Sequence, residues 1–346
     1  MYGKKIKYYR LKNGLSVKEL ALKLNITSAA VSQYENNHRN PDMDMLKKLS
    51  TIFNVTPLDF LPNSTIDCVF THNAFRTSSK INKKDEELFL SEIEDKCLKQ
   101  IEIMDLLNVL PSTSFTPTPL DFNQDINNAV SFIKKELGVN ESGPIYSVVQ
   151  ALEKLGIVVL SFDAGDKIEG CNGKANGITY IFFNSNRTIE RKRFTMIHEF
   201  VHLFYNHLNI DEKELEDRVN KVSGMILISD QDLINEFGLI NRNINKYLLE
   251  SVSKEYKIAP SCLVRRLRDL NIITEIYYRN FHKFLSARVG SRKNEPTLIN
   301  DDSLEEPLSF NQMVYKALSL EIISISKASE LLNVPVGIIM ENNVRY

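Results

Sequence analysis

A mainly α chain with a small β component is expected from three features of its 346 residues. Apolar side chains recur at three- and four-residue steps in 1–62, 83–108 and much of 186–270, which is the helical period. Only two short apolar runs, 156–162 and 178–184, read as strands. Residues 111–119 hold three prolines and no periodicity, so they form an extended linker. The expected layout is a helical N-terminal domain (1–62), a connecting helix and linker (63–119), an α+β domain (120–275) and a helical C-terminal region (276–346) of unassigned role. Within it, 274–290 fits either helix or β structure.

Composition narrows the function classes. Apolar residues make up 43% and charged residues 25%, an ordinary globular mix that excludes wholesale disorder. Net charge is -1, so any nucleic-acid binding must come from a local patch. Residues 1–62 supply one, with ten basic side chains against five acidic ones. The cysteines Cys68, Cys97, Cys171 and Cys262 form no CxxC pair, which fits a reducing compartment. No apolar stretch follows the basic first ten residues, and none is long enough to cross a bilayer, so a cytoplasmic protein with no membrane partner is expected.

In the N-terminal segment, 15–35 divides into two short helices around Asn25-Ile26-Thr27. Ser16 and Thr27 suit the N-caps, Asn25 tolerates the left-handed turn, and Leu20, Ala21, Leu24, Ile26 and Val31 form a small core. A second helix packed in this way can enter the major groove with Ser28, Ala29, Ser32 and Gln33 toward the base edges. The Gln33 amide can pair with adenine bidentately, and Asn36, Asn37 and Arg39 would sit near phosphates. The whole of 1–62, with Tyr34-Glu35-Asn36, Arg39-Asn40-Pro41 and the run Leu46, Leu49, Phe53, Val55, Leu58, Leu61, resembles the Cro/C1-type (XRE) helix-turn-helix family. That resemblance implies a five-helix domain and a homodimer on operator-like double-stranded DNA. Val17 stands where a phosphate-contacting Gln is usual, and Ser28 and Ala29 are short, which weakens direct readout.

In the middle domain, His198-Glu199-Phe200-Val201-His202 is an H-E-x-x-H pentapeptide in a stretch free of Gly and Pro. Its spacing puts both imidazoles on one helical face, able to share a Zn²⁺, with Glu199 beside them as general base for a water. A catalytic zinc needs a third protein ligand. Leu208 occupies the position of a metzincin histidine, which excludes that class. Glu216 can serve, with Asn220 orienting a histidine one turn on, while Asp211, Glu212, Glu214, Asp217 and His207 compete by proximity.

The run from Arg193 through His202, together with Glu216-x-x-Val219-Asn220 and the residues to Ile228, resembles the ImmA/IrrE metallo-endopeptidases. Gly143-Pro144-Ile145, Gly156-Ile157-Val158, Asn184 and 252–270 extend the likeness over about 125–275. Val201, Val219 and Ser229 depart from the usual Gly, Ala and Pro without touching a ligand. The resemblance implies a gluzincin-like domain with Glu216 as third ligand and one Zn²⁺ per chain. It also implies a protein substrate, a repressor or antitoxin that is often itself a helix-turn-helix protein, in a stress, phage-defence or mobile-element circuit. The alternative is a catalytically silent regulator that uses the peptidase fold as a sensor.

Four further expectations follow. Residues 178–183 are a candidate edge strand for an extended peptide. Cys171, in a glycine-rich loop just before it, is a candidate latency ligand for zinc. Tyr205 is a candidate oxyanion helper, and 325–335 repeats a helix-turn-helix-like rhythm suited to protein packing or substrate gating.

Overall fold

The computed structural model describes residues 2–60, 69–72, 76–77, 81–110, 115–205, 210–290, 295–299 and 302–343. His207, Leu208, Leu61 and the start of the proline linker lie outside the described residues. The chain divides into two compact units. One comprises Met1–Phe70, Ser79–Leu110 and Phe310–Tyr346; the other comprises Thr71–Ser78 and Pro111–Ser309. The 276–346 region is therefore split between them.

The first unit begins with α1 (Tyr2–Lys12), α2 (Val17–Leu24), α3 (Ser28–Glu35) and α4 (Met43–Phe53), and the fifth helical element is a single 3-10 turn, Pro57–Phe60. Local chemistry sets the α2–α3 turn. Ser16 and Glu19 form a reciprocal capping box, Thr27 accepts from the Ala30 amide, and Asn25 takes φ 55°, ψ 47° between the helices. Leu20, Ala21, Leu24 and Val31 are buried with Ile6, Leu49 and Phe60, and Ile26 is half-buried against them. Within this core Arg10 grips Glu35 bidentately, at 2.5 and 2.9 Å, tying α1 to the end of α3.

A long helix, α5 (Lys83–Leu106), starts at an Asn82 cap and pairs with α1 through Lys4–Glu94, Lys5–Asp95 and Lys7–Glu87. The tail helices α14 (Ser309–Ser319), α15 (Ile325–Leu332) and α16 (Val336–Asn342) close on Ile103 of α5. The α15–α16 connection repeats the α2–α3 device: Ser324 caps α15 and Asn333 ends it at φ 55°, ψ 42°. The helix that follows differs in surface, since α16 exposes Val336, Ile338 and Met340 where α3 exposes polar side chains.

The second unit holds a small sheet covered by helices. Its strands are β1 (Phe70–His72), β2 (Arg76–Thr77), β3 (Val158–Phe162), β4 (Ile168–Ala175) and β5 (Ile178–Asn184), in the order β1-β4-β5-β3 with β2 also on β4. β5 runs antiparallel to β4 and parallel to β3. This corrects two expectations. β5 is interior, paired on both sides and wholly buried, so its edge accepts no peptide. Residues 170–173 are strand and not loop: Gly170 and Gly173 serve close packing, and the turn falls at Asn176-Gly177, both with positive φ.

The helices of this unit are α6 (Ile126–Leu137), α7 (Val148–Lys154), α8 (Ile189–Tyr205), α9 (Glu212–Leu227), α10 (Asp230–Phe237), α11 (Lys246–Tyr256), α12 (Pro260–Asp269) and α13 (Glu275–Val289). The ambiguous 274–290 is thus helical. Thr274 caps it, and Tyr277, Tyr278 and Phe281, spaced for one helical face, pack on the core. After α13 the chain returns to α8. Glu190 accepts from the Leu298 amide at 3.0 Å, and Glu305 receives Ser147 Oγ and the Val148 and Val149 amides at the start of α7. Fully buried, Glu305 also pairs with Arg193, whose guanidinium donates to the Ile145 carbonyl at 2.8 Å. Among the described residues no helix is long and apolar enough to cross a membrane.

Candidate metal centre

α8 carries His198, Glu199 and His202, and α9, packed against it, carries Glu216. Asp211 opens α9 by accepting from the Lys213 and Glu214 amides, and Glu216 then lies on the side facing the histidines. The two Nε2 atoms are 3.0 Å apart. Glu216 Oε1 is 2.9 Å from His202 Nε2, and Oε2 is 3.5 Å from His198 Nε2. Tetrahedral zinc with ligands at 2.0–2.1 Å needs donor separations of about 3.3 Å, and these three approach that figure. Among the described residues they are the one His/Cys/Asp/Glu group whose donors converge, all within 4.8 Å. The residues present therefore fit a divalent cation. Hydrogen bonds from His198 and His202 hold the Glu216 carboxyl well below the usual carboxylate range.

Access and burial are uneven. His198 is fully buried, while the Glu216 side chain is 41% exposed, so the group opens to solvent on the α9 side. Glu199 is buried beside it, and its Oε2 accepts from Asn172 Nδ2 at 2.8 Å. Asn172 escaped the sequence reading. Its signal is a polar residue between Gly170 and Gly173 in a buried strand, a pattern that marks close approach to another element.

Other residues stand elsewhere. Asn220 is half-buried and hydrogen-bonds to neither histidine. Cys171 is corrected: Gly170 and Asn172 face Glu199, so strand alternation turns Cys171 to the opposite face of β4, and it is not among the converging donors. Tyr205 is fully buried in the core, with the Arg218 guanidinium 6.0 Å from its ring centroid. Glu212, Glu214 and Asp217 do not join the group.

On the first unit, α3 presents Ser28, Ala29, Gln33 and Asn36 exposed and Ser32 half-exposed on one side. Arg39 is exposed, with its guanidinium 5.5 Å from the Tyr34 ring centroid. Asn37 is turned inward: its Oδ1 accepts from the Gly3 amide at 2.8 Å, so it links α1 to the end of α3 and its oxygen is engaged.

Comparison with known proteins matches both regions of the chain. The helix-turn-helix family matches residues 6–60, and the IrrE N-terminal-like domain matches residues 152–268. The HTH-type transcriptional regulator ImmR of Bacillus subtilis (strain 168) is 30% identical over 132 residues, which cover 38% of this chain and 92% of ImmR. Among solved structures, Bacillus thuringiensis PlcR in complex with the peptide PapR7 and DNA aligns over 100% of this chain and 99% of its own at 13% identity. Its TM-score is 0.18, too low for a shared overall fold.

Proposed function

Because the chain belongs to the ImmA/IrrE family and joins a helix-turn-helix DNA-binding domain to an IrrE-like peptidase domain, we propose that it is a zinc-dependent endopeptidase that cleaves a regulatory protein. The convergence of His198, His202 and Glu216 carries this reading. Its substrate is a repressor or antitoxin, and its DNA partner is an operator bound as a homodimer through Ser28, Ala29, Ser32, Gln33, Asn36 and Arg39.

When bound, Zn²⁺ acts as a Lewis acid toward the scissile carbonyl and makes a nearby water more acidic. The protein's own groups do the rest. The His198 and His202 imidazoles and the Glu216 carboxylate would hold the cation and leave it a net positive charge. Glu199 takes the proton from the attacking water and passes it to the departing amine nitrogen. Asn172 fixes one oxygen of that carboxylate, which limits its rotation and aims the other.

Glu199→Gln tests the assignment against a co-encoded helix-turn-helix regulator. Cleavage is expected to disappear while zinc content stays at one per chain. Persisting cleavage removes Glu199 from the role of base. The likeness to a transcriptional regulator favours a second reading, a silent metal domain that only senses. Zinc content, DNA binding and peptidase assays on one preparation separate the two.

A further inference from the structure

β4 is the strand that passes the general base. A Cβ at Gly170 would lie 2.3 Å from Thr195 Cγ2 and 3.4 Å from Glu199 Cγ, and Asn172, on the same face, donates to Glu199. One edge of β4 is filled by β5 along six residue pairs. An extended peptide that reaches Glu199 by adding to this sheet must therefore use the other edge.

That edge carries part of the chain itself. β2 pairs antiparallel with β4, with Arg76 opposite Gly170 and Thr77 opposite Ile168. β1 pairs with β4 farther along, where the Thr71 carbonyl comes so near Gly173 that a Cβ there would sit 2.3 Å from it. The two short strands thus run along β4 through the positions that flank Glu199, in the antiparallel sense a docked peptide can take. They are lightly held. β1 spans three residues and β2 two, the register shifts within β2, and Thr71 is exposed. One side-chain tie joins His72 Nδ1 to Tyr180 Oη at 2.5 Å. Strands as short as these open at low free energy.

We propose that β1 and β2 form an internal strap over the peptide-accepting edge of β4, so that the resting chain is latent until an extended, unstructured segment of a substrate replaces the strap. The inference rests on the peptidase reading for its catalytic meaning, though not for its binding test. Recognition would run chiefly through backbone hydrogen bonds, which suits a flexible segment of a regulatory protein better than a folded surface.

The test uses a fluorescein-labelled synthetic peptide with the sequence of residues 69–77 and the full-length chain loaded with zinc. Thr71→Pro weakens the strap from its own side, since proline removes a donor and is poorly tolerated in a strand. His72→Ala weakens it by removing the bond to Tyr180 Oη, and leaves the edge of β4 unaltered for the peptide. Because a closed strap lowers apparent affinity by the fraction of open chains, each variant is expected to bind the peptide at least about tenfold more tightly than the unaltered chain. Each is also expected to cleave β-casein faster by a similar factor, and to lose that cleavage when Glu199→Gln is added. Circular dichroism confirms that the variants fold. Should either fail to fold, hydrogen exchange on the unaltered chain takes its place, with excess peptide expected to slow exchange in β4 and speed it in β1. Equal peptide binding by all folded chains, or unchanged exchange in β1, overturns the strap. Tighter peptide binding with no casein cleavage in any chain upholds the strap and overturns the peptidase reading.

Discussion

The helix-turn-helix and the candidate metal centre are assembled over different ranges of the chain. Every device that shapes the α2–α3 turn lies within about twenty residues: the Ser16–Glu19 box, the left-handed Asn25 and the Thr27 cap. Even the buried pair that braces it, Arg10–Glu35, is only 25 residues apart. Around the metal centre the histidines are one turn apart, but Asn172 reaches Glu199 across 27 residues and Glu305 reaches Arg193 across 112. A face built locally should survive damage to distant parts of the fold. A centre built from distant strands and helices should not.

Removing Glu305 should separate the two regions most sharply. Glu305→Ala leaves Arg193 buried without its carboxylate and strips acceptors from the start of α7, so the second unit should lose about 3–5 kcal/mol. Chemical denaturation followed with a probe in each unit should show only the second weakened; equal loss in both would break the contrast. Glu216→Ala comes next. It should lower zinc affinity at least roughly 100-fold, beyond the cost of losing an outer partner of a ligand, with helix content and DNA binding unchanged. Competition with a chelator measures it. On the local side, Gln33→Ala should cost about 1–3 kcal/mol at a single base pair of an enriched DNA site, while Arg39→Ala should weaken all sequences alike. Electrophoretic shifts on single-base variants distinguish the two patterns.

The smallest expected effect is a pH dependence in the first unit. Burial alone would raise Asp95, but Lys5 and Lys99 outweigh it and hold its carboxyl below the usual range. A carboxylate depressed in the folded state stabilises above its unfolded value of about 3.9 and loses that contribution as pH falls through the lower folded value. Thermal melting in the acid range should show a loss of about 1 kcal/mol or less, absent from Asp95→Asn.

How far the sequence could be read follows the same divide. The N-caps and the left-handed asparagine are properties of neighbouring residues, so the helix-turn-helix can be seen in 15–35 alone. Spacing within one helix likewise shows His198 and His202 sharing a face. Glu216 could not be separated from Asp211, Glu212, Glu214 and Asp217 by position, because the choice depends on which side of α9 meets α8. Asp211 turns out to be occupied with capping. The same limit hid Asn172, because period-two alternation tells which residues share a face but not which face looks toward α8; Cys171 stands in a strand where its glycine neighbours suggest a loop. Residues 178–184 were legible as a strand, yet whether a strand lies at an edge is decided by its neighbours, here β4 and β3.

The amino-acid order by itself determined the short-range grammar of this protein: its caps, its turns, the pair of histidines one helical turn apart and the basic excess of the first segment. Tertiary structure alone decided which acid completes the metal group, which amide steadies Glu199, and that the outer edge of β4 is covered by β1 and β2. The reason is physical. Caps and helical periods act between residues a few positions apart, whereas ligand convergence and strand order depend on how separate elements pack, and no local pattern encodes that.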